Sequence, residues 1–244
     1  MNNKIALLSG VVLATLTGAT LVPVSAAQVS ATTSHNTVTF LAGDGETKPV
    51  DPTNPDHPVD PNHPIDPDDP DNHGTGNKGP LSLDYVTNFN FGTHKISGQS
   101  QSYAAKNKNA FIQVTDTRGT GGGWTLKATS DDFKDAKGNV LKEATISLGK
   151  GNLVSTGSSM APTSLATTLV PNESTKVLTA KKDAGEGTWV DQLFKNSGSY
   201  NEKDENKEDL GTNSVVKLNV VGGTAKATSY TNNVKWSLED APEA

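Results

Sequence analysis

The sequence of 244 residues contains no cysteine, which excludes disulfides, thiol catalysis and thiolate metal sites. Arginine is nearly as scarce, with Arg118 the only one. After His73 the only histidine is His94, so a histidine-based relay has little to draw on. There is no Gly-x-Ser-x-Gly elbow and no His-Glu-x-x-His. The glycines at 119–123 lack the following Lys-Ser/Thr of a phosphate loop. Asp131 and Asp132 are adjacent and so point apart. Glycan cleavage needs carboxyls that converge to about 5–9 Å, so a solvated turn is expected there. No sustained helical period appears, and no basic cluster that would hold a nucleic acid. The chain is therefore expected not to be an enzyme, to need no cofactor or metal, and to bind no nucleic acid.

What is present begins with an export signal. Lys4 precedes an apolar run from Ile5 to Val22, closed by Pro23 and the small residues Ser25-Ala26-Ala27. Charge, apolar stretch and small-residue site together read as a secretory signal peptide over residues 1–27. No later run is apolar enough to span a bilayer, and the C-terminus carries neither an apolar tail nor a Leu-Pro-x-Thr-Gly signal. The mature chain is expected to be exported without a membrane span.

The net charge of -6 is unevenly placed. Between Asp44 and His73 nine acids stand against Lys48 alone, which leaves the rest of the chain near neutral. In the same stretch a proline occupies every third position from Pro49 to Pro70. Polyproline II has three residues per turn, so residues 49–78 read as an extended acidic linker, its proline part reaching on the order of 75 Å. His57, His63 and His73 offer donors to a divalent cation, but a repeat without convergent geometry reads as solvated chain. Within residues 28–48, the alternation of Thr37-Val38-Thr39-Phe40-Leu41-Ala42 predicts a strand added to the later domain.

Residues 79–244 read as one all-β domain, an antiparallel sandwich or barrel. Short alternating segments at 81–85, 88–91, 111–116, 124–129, 145–148, 175–180, 215–220 and 227–238 are cut by Gly, Asn and Asp clusters. A mixed charge run at 201–209 reads as an exposed loop. Two of the three tryptophans fall in one repeated pattern, Trp124-Thr125-Leu126 and Trp236-Ser237-Leu238. In a strand, Trp and Leu two apart share a face. Each copy follows a strand and a glycine turn, at 119–123 and at 222–224, as in a hairpin. The two units are expected to lie side by side with both Trp rings on one face. Packing and ligand contact both remain open for the rings. Asp116 and Arg118, two apart, are expected to form a bidentate pair at the strand end or to contact ligand.

The motifs taken together resemble the WxL domain of Gram-positive surface proteins. The resemblance rests on Gly79-Pro80-Leu81-Ser82-Leu83-Asp84-Tyr85-Val86, Phe89-Asn90-Phe91-Gly92 and Val114-Thr115-Asp116-Thr117-Arg118. It continues in Gly123-Trp124-Thr125-Leu126 and in the stretch from Tyr230 to Trp236-Ser237-Leu238-Glu239-Asp240-Ala241-Pro242. It implies a surface protein held non-covalently on peptidoglycan, with Trp124, Leu126, Trp236 and Leu238 as the binding motif. It further implies membrane-anchored and wall-anchored partner proteins from the same gene cluster. The alternatives are a scaffold that docks on such a partner, or an adhesin for host glycans or matrix proteins.

Overall fold

The computed structural model describes residues 30–57, 59, 65–66, 68–194 and 213–240. The expected signal peptide, the charge run at 201–209, His63 and the Ala-Pro end lie outside the described residues. The chain divides into two units, residues 1–39 and 40–244. Within the first, residues 30–39 form no strand and are exposed. Residues 40–42 are likewise exposed and unpaired, so the strand expected at 37–42 is not formed.

The second unit is all-β: twelve strands and no helix among the described residues. In chain order these are β1 (Leu81–Val86), β2 (Gln101–Ala105), β3 (Phe111–Asp116), β4 (Trp124–Ser130), β5 (Thr145–Leu148) and β6 (Asn152–Ser155). Then follow β7 (Thr163–Ser164), β8 (Thr167–Leu169), β9 (Ser174–Ala180), β10 (Gly187–Gln192), β11 (Asn213–Val220) and β12 (Val234–Glu239). They make three four-stranded sheets, ordered β1-β3-β10-β6, β2-β11-β5-β8 and β12-β4-β9-β7. Every ladder between these strands is antiparallel. One core joins the three: Leu83, Ile112 and Val114 from the first, Ile146, Leu148 and Val216 from the second, Trp124, Leu126 and Val177 from the third. Burying these apolar faces against one another is the main favourable term in assembling so many short strands.

The glycine runs are crossovers between sheets, not hairpins. β3 and β4 lie in different sheets, as do β11 and β12. Each repeated unit thus leaves a different sheet through glycines and delivers its Trp-x-Leu strand to the same third sheet. Positive φ at Gly119, Gly121 and Gly123 permits the turn. A Cβ on Gly123 would strike the Ala180 carbonyl, so only glycine allows β4 to start there.

Two expected strands change. Residues 88–91 form none: the backbone N–H of Asn88 goes to Asp69 Oδ2 (2.9 Å) and that of Asn90 to Asn107 Oδ1 (2.8 Å), so side chains take donors that a ladder would use. The run at 227–238 keeps only Val234–Glu239, because the preceding residues form a loop in which Tyr230 Oη accepts from Lys226 N. Strands β2, β6, β7, β8 and β10 are additions; their short, polar segments carry little alternation.

The acidic proline stretch departs most from expectation. Among its described residues it is docked on the outer face of the first sheet. A bulge between Leu83 and Tyr85 switches β1, so that Leu83 points into the core and Tyr85 points outward. Outside, Tyr85 stacks on Phe111 (ring centroids 4.1 Å apart), and with Val190 they form a second apolar cluster. Val50 and Ile65 of the proline stretch pack on that cluster. Gln113 works as a peptide mimic, accepting from Val50 N (2.8 Å) and donating to Lys48 O (3.1 Å). Gln192 donates to the Pro52 carbonyl. The aspartates are likewise engaged: Asp66 is buried and accepts from Asn107 Nδ2 (3.1 Å), while Asp68 accepts from Lys108 N (3.2 Å). Proline lacks an N–H, but its carbonyl still accepts, as Pro52 does from Gln192, while Gln113 serves the neighbouring Lys48 and Val50.

Candidate functional site

The two Trp-x-Leu segments are neighbours in one sheet. β12 pairs antiparallel with β4, placing Leu238 opposite Leu126 and Trp236 opposite Ala128. Direct partners in a ladder share a face, so all four motif side chains turn to the same side. Their burial differs. Trp124 and Leu126 are fully enclosed at 0% exposure, whereas Trp236 and Leu238 are half-buried and pack on the core from its rim. The rings stand at different levels of the sheet, Trp124 across from Ala180 and Trp236 across from Ala128. Trp124 Nε1 donates to Gly185 O at 3.1 Å, satisfying its buried donor. Gly185 has φ +74° and lies against the indole, where a Cβ would clash. Trp124 and Leu126 therefore act as packing in this fold and present no surface to a ligand.

Arg118 ties the ends of these elements together. Its Nε and Nη2 donate to the two oxygens of Asp116 at 2.9 and 2.6 Å, a bidentate pair. Nη2 also donates to Gly123 O (2.8 Å), and Nη1 bonds Asp240, just past β12. Asp116 beside it is what holds the guanidinium more firmly protonated than usual. One side chain thus joins the end of β3, the start of β4 and the end of β12. Beside it runs an open groove of about 520 Å³ between β1 and β12, lined by Gly79 to Leu83, Arg118, Trp236 and Leu238.

A second groove, of about 560 Å³, opens beyond the start of β12. Half-buried rings line it: Phe89 and Phe91 (centroids 6.4 Å apart), Tyr103 and Tyr230. Exposed His94 stacks on Tyr103, centroids 3.9 Å apart and planes within 18°. Phe91 meets Phe133 edge-on beneath them. Asn90, Asn232, Thr231 and Lys226 stand around the rings. Sequence reasoning noted His94, Tyr230 and the Phe-Asn-Phe-Gly segment one by one but did not join them. The signal available was the density of aromatics in a glycine- and asparagine-rich stretch that fails to form a strand.

Asp131, one of the adjacent acids, pairs with Lys235 Nζ at 3.3 Å. Among the described residues no group of three or more acids and histidines could hold a metal ion. Nor, among them, is any helix long and apolar enough to cross a membrane.

A family model described as WxL domain surface cell wall-binding matches residues 27–242, nearly the whole chain. That family is one of wall binding and not of catalysis, and it places the protein at the cell surface in association with the cell wall. Its match also takes in the docked proline stretch. No curated protein and no solved structure matches the chain.

Proposed function

The chain belongs to the WxL family of surface cell wall-binding domains, and on that premise we propose that it binds peptidoglycan directly and without a covalent link. The paired Trp-x-Leu strands serve as the frame, and the aromatic groove at the start of β12 serves as the contact surface. The observation that carries this reading is the second groove, where His94, Tyr103, Phe89, Phe91 and Tyr230 stand beside amide and hydroxyl side chains. The C–H faces of a sugar ring stack on aromatic rings, and amides and hydroxyls bond its hydroxyl and N-acetyl groups. Lys226 at the rim offers an ammonium to the carboxylates of a stem peptide.

The test is a pull-down on purified peptidoglycan with no other protein present. The intact chain is expected in the pellet. His94→Ala is expected in the supernatant with melting nearly unchanged, because its side chain is exposed, and Tyr103→Ala is expected there with only a partial loss of stability, because its ring is half-buried against the core. Loss of melting together with binding would assign these residues to the fold. Failure of the intact chain to pellet would mean that the wall is reached through a partner protein.

A further inference from the structure

We infer that residues 37–42 are a donor strand which fills the groove between β1 and β12 of a second copy of this chain. Two unpartnered features of the same molecule match each other. On one side, Val38, Phe40 and Leu41 are 75%, 86% and 90% exposed in a segment that alternates like a strand yet, among the described residues, pairs with no strand. Large apolar side chains left this open mark an interaction surface.

On the other side is an open sheet edge. β12 ends the third sheet, with β4 on one flank and, among the described residues, no strand on the other. β1 ends the first sheet and faces β12 across the groove. The edge of β1 is already covered: Thr75 N donates to Asp84 O, while Thr75 Oγ1 and Asn77 Nδ2 both donate to Leu83 O. The edge of β12 is the open one, and an unpaired edge is a template for a further strand.

Dimensions and pattern agree. Residues 37–42 extend to about 20 Å, as do the six residues of β12. Trp236 and Leu238 on one wall and Leu81 and Leu83 on the other repeat every second residue along the groove. Val38, Phe40 and Ala42 repeat every second residue along the donor. Seated between the walls, they would cover the parts of Trp236 and Leu238 that the core leaves open.

Direction favours a second copy. Gly43 N donates to Thr117 O, and Gly79 N donates to Gly45 O. The chain that follows the segment is thereby pinned at the groove end where β12 finishes, beside Arg118 and Asp240. Entering its own groove from there, it would run parallel to β12. A segment from another chain is free of that tether and can run antiparallel, as every ladder in this fold does. Each copy would then be donor at one end and acceptor at another, a heterologous contact that builds open chains or rings.

The absence of cysteine makes disulfide trapping clean. Thr39→Cys and Lys235→Cys, both at exposed positions, are made in separate chains and mixed under mild oxidation. A mixed disulfide dimer is expected on a non-reducing gel, well above what either variant forms alone. Phe40→Asp introduced into the Thr39→Cys chain is expected to abolish that band and to reduce the sedimenting mass of the chain to that of a monomer. Its melting should be unchanged, since Phe40 lies outside the core. A mixture with no heterodimer above the single-variant background would overturn the inference. So would a double variant that closes its disulfide within one chain, which would assign the strand to its own groove.

Discussion

Leu126 and Leu238 are direct cross-strand partners, one buried at the centre of the third sheet and the other at its rim. The repeated motif is thus one structural unit split between distant parts of the chain. Its first half is enclosed by β9 on the far side, while its second half forms the sheet edge. That difference sets unequal consequences for the two tryptophans. Trp124→Ala is expected to cost about 3–5 kcal/mol, since it opens a cavity in a close-packed core. Trp236→Ala, at a half-buried position on the rim, is expected to cost about 1–2 kcal/mol. Denaturant titration of both variants checks the order, and equal losses would contradict it.

Arg118 holds its partners by geometry as much as by charge. Arg118→Lys keeps the charge but loses the planar fork that grips Asp116 and the Gly123 carbonyl together. A loss of about 1–3 kcal/mol is expected, because Asp116 is buried and its remaining partners cannot replace the fork. Asp240→Asn, by contrast, is expected to change stability by less than about 1 kcal/mol, Asp240 being 71% exposed at its side chain. Thermal melting of the two variants separates the contributions.

The proline stretch is expected to be released by a single change beneath it. Gln113→Ala removes the donor to Lys48 O and the acceptor for Val50 N, and it takes one hydrogen bond from Asp84. The expected cost is about 1–3 kcal/mol. Amide exchange at Val50 should quicken well beyond that at β4 in the same variant. Unchanged exchange at Val50 would show that apolar contacts of Val50 and Ile65 alone keep the stretch in place.

Buried carboxyls give the domain a pH dependence of unusual sign. Burial pushes Asp191 up from 3.8 to about 7, against the smaller effects of the Ser164 hydroxyl and Lys150. Asp84 and Asp66 are raised as well, burial again being the main cause. For Asp191, between about 4 and 7 the unfolded chain has released a proton that the folded chain retains. Stability therefore falls as pH rises through this window and levels off above it. Melting temperature measured from pH 4 to 8 should decline with pH. Asp191→Asn should flatten that decline without abolishing it, since Asp84 and Asp66 act in the same direction.

Much of the fold was legible in the residues themselves. Leu81, Phe111, Trp124, Thr145 and Val215 each begin or fall within strands that alternation and glycine punctuation delimit. Alternation reports a face that is wet on one side, which is why it failed where both faces are dry or where side chains replace the ladder. β3 is buried throughout because the proline stretch covers its second face, and the periodic prolines gave no sign of that contact. Gly187–Gln192 was missed because its pattern is set by what packs on it rather than by its own alternation. At the candidate site, the four motif residues could be named and even placed side by side. The aromatic groove could not, since His94, Tyr103 and Tyr230 meet only through loops whose path no local rule dictates.

By itself the sequence determined the β class, the absence of thiol chemistry and the kinship of the two Trp-x-Leu strands. These follow from backbone preference, side-chain chemistry and period, which act over a few residues. Only the tertiary structure decided which rings are enclosed and which are offered, that the glycine runs cross between sheets, and that the acidic stretch is a covering layer. Those outcomes depend on which distant faces bury one another, and burial is a property of the assembled sheets, not of any segment.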